Sequence, residues 1–305
     1  MKTAPEMIVI LGPTATGKTR VAVALARAAR GEIVSADSRQ VYRRMDIGTG
    51  KDLSDYGTGA DAVPYHLIDI AEPGTEFSVF HFQRAFLAAY NAISERGRLP
   101  ILCGGTGLYI ASVLERYELV EAPRNETLRA ALADLDHAAL CRRLAELRPL
   151  HNVTDTTDRA RLVRAIEIAE HSRDVGAPAA RFPAIRAAVY GLRIARADLK
   201  KRITARLNAR LADGLIEEVE RLLADGLTPE QLEFYGLEYR FVTQHVTGRL
   251  NRNDMTQKLR EAIYQFARRQ EKWFRRMARR GTQITWLPAE QDPARLAVHI
   301  LDDIV

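Results

Sequence analysis

With only two cysteines, Cys103 and Cys141, the 305-residue chain cannot build a disulfide framework, and no close Cys/His pairing suggests zinc. No apolar run approaches the roughly 20 residues that a membrane helix needs. Met1 to Leu11 lacks the charged start, apolar stretch and small-residue cleavage site of a secretory signal. Nineteen glycines and twelve prolines form neither a repeat nor a low-complexity tract. These absences predict a reduced, cytoplasmic protein with no membrane association. No oligomerisation signal separates from core patterning, so a monomer is expected.

What is present is an ordinary globular balance, 47% hydrophobic and 28% charged, on a chain long enough for two structural units. The net charge of +6 is unevenly placed. Tyr239 to Gly281 carries 12 basic and 3 acidic residues, which leaves the rest of the chain near −3. A phosphate-bearing polymer would release counterions on meeting such a block; a solvated helix face would show the same charge.

Met7 to Leu11 is a short apolar run bounded by Gly12, which predicts a buried strand, and the helical period through Val21, Leu25 and Ala28 ends near Gly31. Ile33 to Ala36 and Pro100 to Cys103 read as further strands, with a helix from about Val79 to Arg96 between them. Strands alternating with helices predict an α/β fold with a mainly parallel sheet. From Leu119 to Arg181 only helical periods occur, over Glu126 to Leu135, His137 to Leu147 and Asp158 to His171. Strand-like segments return at Ala188 to Ile194 and Gln283 to Leu287. The expected organisation is an α/β core of residues 1–118 and 186–305, interrupted by a helical insertion at 119–185, with Gly176 to Pro183 as a boundary loop.

Gly12-Pro13-Thr14-Ala15-Thr16-Gly17-Lys18-Thr19 satisfies G-x-x-x-x-G-K-[ST] between a strand and a helix. The glycines allow a nest of N–H groups at a helix N-terminus, which binds phosphate. Lys18 adds a point charge, and the Thr19 hydroxyl is the expected Mg2+ ligand. A di- or triphosphate is expected here. No acid follows the strand Ile101-Leu102-Cys103, which runs into Gly104-Gly105-Thr106. Asp37 instead ends the Ile33 to Ala36 strand, at the sheet edge where ligands gather. A carboxylate there holds a metal, caps a helix or accepts a proton. Ser38, Arg39 and Gln40 are suited to reading a base or a sugar.

These residues, taken with others along the chain, resemble the tRNA dimethylallyltransferases. The resemblance rests on the phosphate loop, Asp37-Ser38 through Tyr42, Met45-Asp46-Ile47-Gly48-Thr49, His66-Leu67-Ile68-Asp69 and Phe77-Ser78. It continues through Gly104 to Tyr109, Arg161-Leu162 with Arg164-Ala165, Arg202-Ile203 with Arg206, and Arg269-Gln270 with Trp273-Phe274, from about residue 7 to 288. It implies a P-loop kinase-like core with a helical insertion that contacts tRNA. The implied reaction is transfer of a dimethylallyl group from its diphosphate to N6 of the adenosine 3′ to the anticodon. By the same resemblance the diphosphate lies on Gly12, Thr14, Ala15, Thr16, Gly17, Lys18 and Thr19, with Arg206 beside it and Mg2+ on Thr19. Asp37 is the implied base, with Lys18, Thr19 and Arg206 as the other catalytic groups. Asp37, Ser38, Arg39, Gln40, Thr106, Arg161 and Arg164 are the implied contacts to the anticodon stem-loop of tRNA. Arg206 also belongs to an Arg202, Arg206, Arg210 helical stripe, which read alone is a solvated face.

The C-terminal helix is expected to open on a capping box of Asp254 with Gln257. Its apolar face is expected to carry Leu259, Ile263, Phe266, Trp273 and Met277, and its arginines to lie on the other. Three places depart from the family pattern. Phe234 to Arg240 stands where many members have Gly-Tyr followed by a basic residue; Ile263-Tyr264 replaces Thr-Arg; Gly50 and Asp52 replace Ala and Pro. Three other readings remain: prenyl transfer to a free adenine nucleotide, an ATP-dependent small-molecule kinase, and a nucleotide-gated RNA-binding protein. The insertion and the basic block favour RNA over a free nucleotide. Phosphoryl transfer from ATP would mark a kinase, and tRNA binding without product would mark the binding protein.

Overall fold

The computed structural model describes residues 4–147, 158–175 and 181–304. The chain divides into two compact units, Met1–Glu115 with Ala184–Val305, and Arg116–Pro183. In the first, β1 (Met7–Leu11) leads into α1 (Lys18–Ala29) and β2 (Gly31–Ala36); β3 (Tyr65–His66), α2 (Val79–Glu95), β4 (Leu99–Gly104) and α3 (Gly107–Leu114) follow. The second unit supplies α4 (Glu126–Leu132), α5 (His137–Leu147) and α6 (Arg159–Val175). The first then resumes with β5 (Ala187–Arg193), α7 (Arg196–Ala212), α8 (Leu215–Ala224), α9 (Pro229–Phe234), α10 (Leu237–Val246), α11 (Arg252–Arg279), β6 (Thr285–Pro288) and α12 (Pro293–Ile304).

All six strands are parallel, in the order β3-β2-β4-β1-β5-β6. Every residue of β1 and β2 is buried, as a strand covered on both faces requires. One apolar cluster joins Ile8 and Ile10 of β1, Val21 and Leu25 of α1, Ile101 of β4, and Leu296 and Ile300 of α12. A separate cluster unites α7, α8, α10 and α11 through Leu199, Leu207, Val219, Val242 and Leu259. β4 lies between β1 and β2, in register Leu11↔Gly104 and Ala36↔Gly104. The loops leaving β1 and β2 therefore part on either side of the end of β4. Such a switch point in strand order opens a crevice at the carboxyl edge of a parallel sheet.

Two expectations for α11 need correction. Its N-cap is Asn251, whose side chain accepts from the Asp254 N–H at 2.9 Å, so the helix starts before the anticipated Asp254 box. Phe266 is 39% exposed, while Ile263, Ala267, Gln270, Phe274 and Met277 face inward, because the buried stripe follows the packing partners rather than the most apolar residues. β3, only two residues long, carried no periodicity to detect. Of the anticipated boundary loop, residues 176–180 lie outside the described residues.

In the second unit Leu132, Leu140, Leu144, Leu162 and Ile166 form the core. Glu167 is buried among them and receives two bonds from Arg129 (2.7 and 2.8 Å), one from the Asn125 N–H (3.0 Å) and one from Arg164 (3.2 Å). Burial opposes its ionisation, but these donors win and hold the pKa at about 2, below the ordinary 4.5. A depressed carboxylate pKa contributes stability that is complete above about pH 4.5 and fades as pH falls through about 2. Glu167→Gln is expected to destabilise this unit by about 3 kcal/mol at neutral pH and to flatten its response to acid. Hydrogen exchange along α6 between pH 5 and 2 checks this; a variant that keeps the wild-type acid profile would refute it.

Candidate functional site

The loop from Gly12 to Gly17 joins β1 to α1 at the centre of the sheet. Ala15 (φ 64°) and Gly17 (φ 84°, the N-cap of α1) both take the left-handed conformation that folds the chain back on itself. The Thr16 hydroxyl and the Lys18 ammonium each donate to the Pro13 carbonyl at 2.8 Å, closing the turn from within. Gln270, in the middle of α11, accepts from the Thr14 N–H at 2.8 Å and donates to the Gly105 carbonyl at 2.8 Å. One amide thus ties the phosphate loop to the turn after β4.

Cations converge on this loop. Arg206 of α7 donates to the Thr14 hydroxyl, and Arg202 donates to the carbonyls of Ala289 (3.1 Å) and Thr16 (3.5 Å). The stripe on α7 is therefore not a solvated face: Arg202 and Arg206 are partly buried and Arg210 is buried. Burial lowers the Lys18 pKa to about 8; Arg206 adds to the shift, and Cys103 and Asp37 oppose it. Burial also pushes the Cys103 thiol up to about 12. Arg206 falls to about 10 through burial and the neighbouring Arg210. Cations gathered and partly buried at this loop suit a polyanionic ligand.

Across the crevice Asp37 follows β2. It caps a turn rather than a helix: Oδ1 accepts from the Arg39 N–H at 2.9 Å. The Ser38 N–H donates to the Thr106 hydroxyl at 3.0 Å, binding the Asp37 loop to the turn after β4. Gln40 is spent internally, its amide accepting from the Ser35 hydroxyl and donating to the Gly50 carbonyl, both at 2.8 Å. The Arg39 guanidinium lies 5.3 Å from the ring centre of Phe234, which is 62% exposed. In the second unit Arg161 is exposed, whereas Arg164 is engaged by Glu167 and by the Ala122 carbonyl (2.8 Å).

Sequence reasoning missed three supports of this site. Glu218 of α8 is buried and accepts from the N–H groups of Asp46 (2.9 Å), Ile47 (2.8 Å) and Gly48 (2.9 Å) and from the Tyr239 hydroxyl (2.7 Å). Lys51 is buried between the carboxylates of Asp46 and Asp69. Gln270 is the third. A charge in an otherwise amphipathic pattern was the only signal available for Glu218, Lys51 carried none, and Gln270 appeared only as part of the Arg269-Gln270 match, with no role attached. Tyr239 and Ile263, two of the departures from the family pattern, are core residues, 1% and 4% exposed.

Among the described residues no group of three or more His, Cys, Asp or Glu side chains could hold a metal ion. Thr19, in the first turn of α1, offers one hydroxyl at the loop. That donor set fits Mg2+, which keeps several waters and takes further oxygens from a bound phosphate. Among the described residues no helix is long and apolar enough to cross a membrane.

Comparison with known proteins bears on the chemistry. The IPP transferase family matches residues 40–277, and the isopentenyl transferase family matches residues 5–59. The chain is 59% identical to tRNA dimethylallyltransferase 2 of Syntrophotalea carbinolica over 289 residues, 94% of this chain and 96% of that one. It is 57% identical to tRNA dimethylallyltransferase 1 of Geotalea daltonii over 297 residues, 97% and 95% of the two chains. Among solved structures it resembles the full-length tRNA isopentenylpyrophosphate transferase of Bacillus halodurans, with a TM-score of 0.70, 31% identity, and 98% and 95% of the two chains covered. A eukaryotic dimethylallyltransferase acting on tRNA shares the fold, with a TM-score of 0.76 at 21% identity over 97% of this chain and 78% of that one.

Proposed function

The chain belongs to the tRNA dimethylallyltransferases, transferases that prenylate adenosine in tRNA, and we propose that it carries a dimethylallyl group from dimethylallyl diphosphate to N6 of the adenosine 3′ to the anticodon. The observation that carries this reading is the meeting of two unlike groups across one crevice. Lys18 and Arg206 stand at the phosphate loop, and the Asp37 carboxylate stands at the end of β2, within the electrostatic reach of both.

In this reading the N6 amine attacks the first carbon of the allyl group, the carbon–oxygen bond to diphosphate breaks, and the amine proton passes to Asp37. Charge grows on the departing diphosphate, where Lys18, Arg206 and the N–H groups at the start of α1 would stabilise it, the Thr14 N–H being held by Gln270. Mg2+ held by the Thr19 hydroxyl and by diphosphate oxygens would supply further neutralisation of that charge. An adenosine in an RNA loop is splayed from its neighbours at a cost of a few kcal/mol. In this reading Ser38, Arg39 and Thr106 contact it, a role supported by the bonds that join their loops, and Gln40 fixes the Asp37 loop from within. Arg161 is the proposed RNA contact of the second unit, with Arg164 holding the helix that bears it. Arg268, Arg269, Arg275, Arg276 and Arg279 of α11 give the anticodon stem a basic counterpart. A monomer remains the expected state. Both cysteines are free, which supports a reducing, cytoplasmic setting.

The deciding experiment incubates the protein, Mg2+ and dimethylallyl diphosphate with unmodified tRNA or with AMP, and weighs the nucleosides. A gain of one prenyl unit on adenosine in tRNA alone is expected. Gain on AMP would move the enzyme to free nucleotides, and no gain in either tube would overturn the reading.

A further inference from the structure

Gly50 and Asp52, two positions apart, and Glu238, far from both in sequence, meet around one side chain. That side chain is Arg210, buried on α7 one helical turn beyond Arg206. Its NH1 lies 3.4 Å from Glu238 and its NH2 lies 3.9 Å from Asp52. Its NH2 also fills the space above Gly50, where a Cβ would overlap it, and Gly50 takes φ 65°. A side chain at position 50 would displace the Arg210 guanidinium from this place. Gly50 and Arg210 are thus a matched pair, and the two carboxylates complete the set.

Glu238 and Asp52 also act electrostatically on Arg206, the guanidinium that reaches Thr14 of the phosphate loop. A flexible arginine close to two carboxylates tends to pair with them, since a charge-assisted bond to an anion is about twice as strong as a bond to a hydroxyl. We propose that Arg210 is a positioning residue: by occupying Glu238 and Asp52 it keeps Arg206 free to face the diphosphate, and Gly50 is required because it makes room for that guanidinium. This role rests on the assignment of Arg206 to the diphosphate. Removing Arg210 would then not merely loosen the protein. It would release two carboxylates that draw Arg206 away from the loop.

That competition makes a distinctive experiment. In Arg210→Met the KM for dimethylallyl diphosphate is expected to rise about tenfold, and inorganic diphosphate to bind about tenfold more weakly by calorimetry, with tRNA affinity little changed. Adding Glu238→Gln and Asp52→Asn to Arg210→Met should restore diphosphate binding to within about threefold of wild type, because nothing then competes for Arg206. A merely structural role predicts the opposite, with losses that accumulate. Gly50→Ala provides a route that keeps every charge. It displaces the guanidinium and should raise the same KM, and combining it with Arg210→Met should raise that KM no further. Unchanged diphosphate affinity in folded Arg210→Met, or further weakening in the triple variant, would overturn the proposal. If Arg210→Met does not fold, Gly50→Ala alone decides, and an unchanged KM there refutes it. Failure of the wild-type protein to transfer a prenyl group would instead count against the assigned reaction, which the calorimetry does not require.

Discussion

Asp37→Ala is expected to lower prenyl transfer by about 10²–10⁴-fold while dimethylallyl diphosphate still binds. The carboxylate does not hold the sheet together: it follows β2, and its one described bond is the local turn from the Arg39 N–H to Oδ1. The exocyclic amine is a weak acid until it bonds to carbon, so its proton leaves late, and a carboxylate beside it lowers the barrier at that point. Asp37→Asn keeps the shape and the acceptor for Arg39 but cannot take the proton, and should be nearly as slow as alanine. Single-turnover rates, measured alongside diphosphate titrations, separate the two effects. Turnover within a fewfold of wild type in Asp37→Asn would remove Asp37 from the role of base.

Lys18→Met is expected to reduce kcat/KM for dimethylallyl diphosphate by about 10²–10³-fold, equivalent to about 3–4 kcal/mol of transition-state stabilisation. Lys18 is partly buried, and its described bond is to a neutral carbonyl, that of Pro13, at 2.8 Å. Burial lowers its pKa to about 8, so the loop by itself solvates the charge poorly. An anion at the loop stabilises the ammonium, and the stabilisation grows as the leaving group gains charge. The methionine stem preserves the packing, so tRNA affinity should stay within about twofold while inhibition by inorganic diphosphate weakens in step with kcat/KM. Equal loss of tRNA binding would show that Lys18 acts by folding its loop instead.

Much of the architecture is written locally. β1 occupies the five apolar residues of its run, and the phosphate loop stands between that strand and α1. α2 begins after Ser78, which caps it together with His81. β5 and β6 fall within a residue or two of the expected segments. Such features depend on neighbours a few positions apart, and a strand covered on both faces or a strand–loop–helix joint leaves a contiguous pattern. α11 shows where that ends. Its period predicts a long amphipathic helix, but Phe266 lies outside and Gln270 within, because Gln270 finds Thr14 and Gly105 across the fold.

The sequence by itself therefore determined the alternation of strands and helices, the phosphate loop with Lys18 and Thr19, the acid at the end of β2, and the family in which all of these occur together. The tertiary structure decided what surrounds them. Only the strand order, with β4 between β1 and β2, sets Asp37 across a crevice from the loop. Only packing turns the arginine stripe of α7 inward, gives Glu218 its four donors, and gathers Gly50, Asp52 and Glu238 on Arg210. The physical reason is that a buried charge is tolerated only where partners meet it, and partners drawn from residues 21 to 192 positions away leave no period or spacing to read.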